Sequence, residues 1–253
     1  MTAADLPQRL AAALSAAPHA GTATSLAPEL AYGRHRGPAP TGARQAAVAL
    51  VWLRRSDGRW WLPLTLRPRT LRHHGGQVSL PGGMMEAGET PAQAALREFE
   101  EELGLAPVDP LMCGQLDPVY VYTSNNQVFP VVFTAAAPLE AWVPNPLEVD
   151  RVLEMPLELL LRPDRCTAPL RSRHIFRDQQ PVGSFEFKSS AYRLGDHFVW
   201  GVTGMLLSQL AQLIAGPSPS TARPLRLQTQ PPGQPQTDGR HEGHDGQGEQ
   251  QRE

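Results

Sequence analysis

Lysine is nearly absent from this sequence: among 23 basic residues only Lys188 is one, and the net charge is −2. No general nucleic-acid surface is expected from such a balance. The bias toward arginine fits a genome-wide compositional preference at least as well as phosphate binding. Cysteine is scarce too. Cys113 and Cys166 are too few for a disulfide framework, and each is expected to be a buried, reduced thiol. This is compatible with a cytoplasmic setting. No run reaches about 18 apolar residues, so no membrane-spanning helix is expected. The first residues show no signal-peptide pattern, and DLPQRLAAAL (5–14) reads instead as a short amphipathic helix. The final Gln-Arg-Glu is no known sorting tripeptide. Bulky apolar residues also nearly vanish after Gly216. Residues 217–253 cannot bury enough surface to offset the entropy of ordering and are expected to be disordered. His241 and His244, in that tail, lack the further ligands a metal needs.

What remains is strongly patterned. AAVALVWL (46–53) and WWLPLTL (60–66) predict strands around the turn Ser56-Asp57-Gly58-Arg59. PVYVYTS (118–124) and VFPVVFTA (128–135) predict a hairpin around Asn125-Asn126. A short strand is expected over 150–154, a helical turn over 156–161 and two short strands within 184–194. Val202, Leu206, Leu210 and Ile214 recur at helical spacing within 200–214. The residues alone thus predict one globular α/β or α+β domain. Its expected bounds are 25–216, after an N-terminal helix and linker over 1–24.

The segment GGMMEAGETPAQAALREFEEELGL (82–105) carries the chemistry. Thr90 is a helix cap, Pro91 a first helical residue and Gln93 the partner of a capping box. Gly104 suits the position just past the end. The predicted helix therefore runs from Pro91 to Leu103, with Ala92, Ala95, Leu96, Phe99 and Leu103 on its apolar face. Glu98, Glu101 and Glu102 fall on the opposite face. Glu98 and Glu102 are like charges one turn apart, costing about 0.2–0.5 kcal/mol, near a helix end that prefers cations. Arg97 can pair with Glu101 and offsets part of this.

The spacing from Gly83 through Glu89 to REFEEELGL (97–105) resembles the box of the Nudix hydrolases, G-x5-E-x7-R-E-U-x-E-E-x-G-U, with Phe99 at the first bulky aliphatic position U. The resemblance implies an α/β/α sandwich with a mixed sheet and a loop-helix-loop catalytic box. It implies a catalytic set of Glu98, Glu101, Glu102 and Arg97, in which Arg97 and Glu89 orient the loop and the glutamates. It also implies divalent cations, Mg²⁺ or Mn²⁺, held by Glu98, Glu101, Glu102 and the Gly82 carbonyl.

Upstream, LTLRPRTLRHHGGQVSLPGG (64–83) is similar to the signature of the coenzyme A pyrophosphatase branch of that family. Leu64, Thr65, Arg67, Arg72, Gly76, Pro81, Gly82 and Gly83 match; Pro63, Pro68 and Leu80 depart. NPLEV (145–149) and FVWGVTGMLL (198–207) also look like segments of this branch. The reaction so implied is hydrolysis of the pyrophosphate linkage of coenzyme A or its derivatives. The products are 3′,5′-ADP and 4′-phosphopantetheine or its acyl form. Arg67 and Arg72 are the expected substrate-binding residues, since guanidinium groups suit phosphates. The expected partner is a small nucleotide, with neither nucleic acid nor membrane. The proton of the attacking water could go to a box glutamate or to a carboxylate outside it, Glu148 or Glu154. Two alternatives stay open: a Nudix enzyme for another nucleoside diphosphate derivative such as ADP-ribose, and a catalytically silent nucleotide-sensing module.

Overall fold

Alternate residues of Arg44–Arg54 enter two different cores, and this strand, β1, sets the layering of the computed structural model. Ala47, Ala49, Val51 and Leu53 join one cluster, while Leu50 and Trp52 join the other. A strand that is apolar on both faces must be covered twice. The structure describes residues 5–15, 38–71, 74–162, 166–167, 171–177, 180–187 and 189–215, all within a compact unit spanning Met1–Pro217. The tail with His241 and His244, most of the linker before β1, and the Cys166 side chain lie outside the described residues. Cys113 is a buried free thiol.

In chain order the elements are α1 (Leu6–Ser15), β1, β2 (Trp60–Leu66), β3 (Val78–Ser79), β4 (Gly82–Met84), α2 (Pro91–Leu103), β5 (Val108–Gln115), β6 (Val119–Val121), β7 (Asn126–Ala136), β8 (Arg151–Pro156), α3 (Leu157–Leu160), β9 (Cys166–Thr167), β10 (Arg171–Arg177), β11 (Gln180–Phe187), β12 (Ser190–Leu194), β13 (His197–Val199) and α4 (Gly201–Ala215). β1 pairs in parallel with β7 along its whole length, from Arg44 opposite Asn126 to Arg54 opposite Ala136. Its other edge is divided. Ala46–Val48 pair antiparallel with β4, and Leu53 and Arg54 pair with Trp61 and Trp60 of β2. β2 continues the sheet to β3 and β8. The sheet is therefore mixed, with α2 against one face and α1, α3 and α4 in the core on the other.

Proline is tolerated inside β7 for a geometric reason. Val128 pairs with Val119 of β6, and Val131 with Gln115 of β5. Pro130, which lacks an N–H, falls where the ladder passes from one neighbour to the other. β5 itself escapes prediction from the sequence. It is an edge strand broken by register shifts, with Asp109 at φ 47° and Val108, Leu111 and Met112 exposed, so no alternation survives to mark it.

The N-terminal helix is bound into the main core. Leu6, Leu10 and Leu14 are buried in the cluster that contains Leu206, Leu207 and Leu210 of α4, and Arg9 Nη2 donates to the Ile214 carbonyl at 2.6 Å. α1 and α4 thus share one core, although the expected domain bounds of 25–216 leave α1 outside. Leu10 is wholly buried, so Leu10→Ala is expected to destabilise the protein by about 2–5 kcal/mol through lost transfer energy and a residual cavity. Urea unfolding of the full chain measures this; a change within error would show that α1 contributes nothing to the core.

Candidate active site

Helix α2 has the ends that its sequence predicts. Thr90 Oγ1 accepts from the Gln93 N–H, and Gln93 Oε1 accepts from the Thr90 N–H at 2.9 Å. Gly104 adopts φ 76° and closes the last turn on the Glu100 carbonyl. The buried face differs from the predicted one. It contains Ala94, Ala95, Phe99, Leu103 and also Glu102, which is only 3 % exposed. Ala92 and Leu96 are partly buried, and Glu101 is the exposed member of the acidic set, at 54 %.

Two neighbours put Glu102 where it is. The first is β4, whose Gly82 N–H points to Glu102 Oε1 at 3.5 Å. The contact is close: a Cβ on Gly82 would lie 2.3 Å from the Ala47 carbonyl oxygen, and one on Gly83 would lie 2.4 Å from the Glu98 carboxyl carbon. Only glycine lets β4, β1 and α2 approach this nearly. The second neighbour is the loop 142–149. The Val143 N–H donates to the Leu103 carbonyl at 3.1 Å, and the Asn145 N–H to the Glu102 carbonyl at 3.0 Å. Free carbonyls at the end of a helix need such donors, and here they fasten the loop. The Trp142 ring meets Phe99 edge-on, with centroids 6.1 Å apart.

Arg97 organises the acids along the helix. Its Nε donates to Glu89 Oε1 at 2.8 Å, and Nη2 donates to Glu89 Oε2 and to the Met84 carbonyl. Nη1 donates to Glu98 at 3.0 Å and to Glu101 at 3.1 Å. The Glu89 carboxyl is held below its usual range chiefly by its hydrogen bond from Arg97, then by the Glu86 N–H. Burial pushes Glu98 up, opposed by Arg97 and reinforced by Glu101 and Glu148. Burial also pushes Glu102 up, to about 7; the Gly82 N–H and the Arg67 charge oppose it, while Glu148 and Glu98 add to it. Glu102 Oε2 is buried without a hydrogen-bond partner.

Glu102 thus lies beside the Gly82 N–H, within electrostatic reach of Arg67, Glu98 and Glu148. Arg67 follows β2; its N–H donates to the Gln77 carbonyl, and its own carbonyl accepts from Gly76. Its Nε is buried and unpartnered. Arg72 and His73 lie outside the described residues. Glu148 ends a turn built on Asn145, whose carbonyl accepts from the Glu148 and Val149 N–H groups and whose side chain accepts from Leu147. Glu154 is placed differently, with Arg55 on Oε2 and Trp142 Nε1 on Oε1. Trp142 and Asn145 were not singled out from the sequence. NPLEV was visible only as a resemblance, and a lone tryptophan in a proline-bounded loop has no periodicity to flag it.

An orphaned buried carboxylate oxygen and an all-oxygen donor set fit a hard divalent cation. Among the described residues no three acidic, histidine or cysteine side chains stand at metal-ligating spacing. Glu98 and Glu101 are turned toward Arg97, the cation within their reach.

The NUDIX domain profile matches residues 43–177. The chain belongs to the Nudix family. It is a Nudix pyrophosphohydrolase, acting on nucleoside diphosphate derivatives, and Nudix hydrolases generally use divalent metal ions. Nudix hydrolase 3 of Caenorhabditis elegans is 32 % identical, over 68 % of this chain and 74 % of its own length. The mitochondrial coenzyme A diphosphatase NUDT8 of Homo sapiens is 36 % identical, over 72 % and 74 %. Nudix hydrolase 22 of Arabidopsis thaliana, described as chloroplastic, is 31 % identical over 68 % of this chain but 55 % of its own length.

The buried box glutamate gives this Nudix protein a testable pH dependence. Without metal, folded Glu102 holds its proton up to about pH 7, against an ordinary glutamate value of 4.5. The folded state binds that proton more tightly than the unfolded chain does. The resulting stabilisation is full below about pH 4.5 and is lost as pH rises to about 7, amounting to roughly 3 kcal/mol. In chelator, the Tm of the wild type is expected to fall relative to that of Glu102→Gln between about pH 5 and about pH 7.5. Parallel Tm curves would contradict the raised pKa.

Proposed function

We propose that this Nudix hydrolase cleaves the pyrophosphate linkage of coenzyme A or its derivatives, releasing 3′,5′-ADP and 4′-phosphopantetheine or its acyl form. The observation that carries this reading is the placement of Arg67, whose charge acts on Glu102 while its Nε has no protein partner. It offers a guanidinium to a phosphate beside the acidic cluster, from the segment that resembles the coenzyme A branch. The name of the human relative, 36 % identical, supports the same substrate.

In this reading Glu98, Glu101, Glu102 and the Gly82 carbonyl hold the cation, Mg²⁺ or Mn²⁺. A divalent ion there polarises phosphoryl oxygens and lowers the pKa of water toward 7. The protein's own groups do the rest. Arg97 touches no substrate in this scheme; it holds Glu98 and Glu101 in orientation and ties them to the Met84 and Glu89 loop. Glu148, whose charge reaches both Glu98 and Glu102, accepts the proton of the attacking water. Glu154 is unsuited to that task, because both its oxygens are engaged. Arg67, and Arg72 by resemblance, bind the diphosphate or the 3′-phosphate with charge-assisted hydrogen bonds.

A substrate panel with products identified by mass spectrometry tests the assignment. Coenzyme A derivatives are expected to be preferred with Mg²⁺ or Mn²⁺. A preference for ADP-ribose would replace the substrate while leaving the chemistry in place. Glu98→Gln is expected to keep the fold and cut turnover by several kcal/mol of transition-state stabilisation, at ~1.4 kcal/mol per tenfold. Full activity of that variant, or of the wild type in excess chelator, would sink the metal assignment.

Arg67→Ala separates the two phosphate roles. If Arg67 binds the 3′-phosphate, kcat/KM for coenzyme A falls by about 1.5–3 kcal/mol more than for 3′-dephospho-coenzyme A. An equal loss on both substrates assigns Arg67 to the diphosphate. No loss on either makes it structural.

A further inference from the structure

Glu154, Trp142 and Arg55 lie outside the acidic cluster, but a continuous set of contacts runs from them to Glu148. Arg55, in the turn after β1, has its guanidinium over the Trp61 ring at 4.5 Å and pairs with Glu154 Oε2. Glu154 Oε1 accepts from Trp142 Nε1 at 3.3 Å. Trp142 lies edge-on to Phe99, on the buried face of α2. From Trp142 the chain is pinned at Val143 and Asn145 to the last carbonyls of α2, then folds on Asn145 to present Glu148. It is fixed again just beyond, where Val149 is 2 % exposed and the Asp150 N–H donates to the Leu66 carbonyl at 2.8 Å.

We propose that Glu154 and Trp142 are positioning residues for hydrolysis: anchored by Arg55, they fix the loop 142–149 so that Glu148 faces Glu98 and Glu102. This rests on the reading of Glu148 as proton acceptor. The Arg55 and Glu154 side chains are 40 % and 31 % exposed. An ion pair so open to water contributes little to stability. Its effect is therefore expected in the rate, because a group held slightly out of place loses much of its catalytic value.

The test uses the full chain and the best substrate of the panel. Trp142→Phe keeps an aromatic ring against Phe99 and removes only the donor. It is expected to lower kcat about tenfold, ~1.4 kcal/mol, with KM and Tm nearly unchanged. Glu154→Ala should match it, and Glu154→Gln, which keeps an acceptor for Trp142, should recover part of the loss. The decisive comparison adds Trp142→Phe to Glu148→Gln. If the brace acts through Glu148, the double variant is no slower than Glu148→Gln alone. Losses that multiply overturn the brace while leaving the role of Glu148 standing. An unchanged kcat in Glu148→Gln alone removes that role, and the brace with it.

Discussion

Crowding carboxylates against the end of a helix is unfavourable, and much of the structure around α2 counters that cost. Glu98 and Glu102 are like charges on adjacent turns, both pushed up by burial and by each other's neighbours. Arg97 is the main counterweight, with its donors spread over Glu89, Glu98, Glu101 and the Met84 carbonyl. The Gly82 N–H and Arg67 ease the burial of Glu102. What is left uncompensated, chiefly the bare Oε2 of Glu102, is what a cation would neutralise. The layering of the fold serves the same end. β1 supplies the backbone with which Gly82 and Gly83 pair, and the opposite core buries its Leu50 and Trp52.

Where local chemistry decides a feature, the sequence shows it plainly. Thr90, Pro91, Gln93 and Gly104 specify the bounds of α2 through capping, which needs no tertiary partner. The apolar run 46–53, set off by the turn Ser56-Asp57-Gly58-Arg59, marks β1, and the two Asn residues mark the β6–β7 hairpin. Features that depend on another part of the chain are hidden. Helical spacing places Glu102 opposite the apolar stripe, but β4 and the loop after β7 turn it into a buried residue. Glu148 and Glu154 look alike in sequence; only the packing of Trp142 and Arg55 separates an available carboxylate from an occupied one. β5 carries Asp109, Pro110 and Gly114, so its pairing with β7 is a tertiary event with no local signature.

The edge of β1 away from β7 has a corresponding logic. One half is used by β4, which brings the Gly-Gly pair to the box helix, and the other half by β2, which leads to Arg67. The two segments that flank the acidic cluster are thus registered against a single strand. The segment between them reinforces this placement, through β3 on β2 and the hydrogen bonds of Arg67 with Gly76 and Gln77.

The packing of α1 also constrains the order in which the molecule assembles. Arg9 and Ile214 are separated by 205 positions in the chain, so α1, which also packs on β5 where Leu14 meets Gly114, completes its packing only when α4 has been made. Contacts of such long sequence separation are slow to form, and until then the three leucines of α1 have no cover on that side. Helix α1, through its contact with α4, is therefore expected to be among the last elements to consolidate. In pulse-labelled hydrogen exchange its amides should gain protection after those of α2 and the β1–β7 pair.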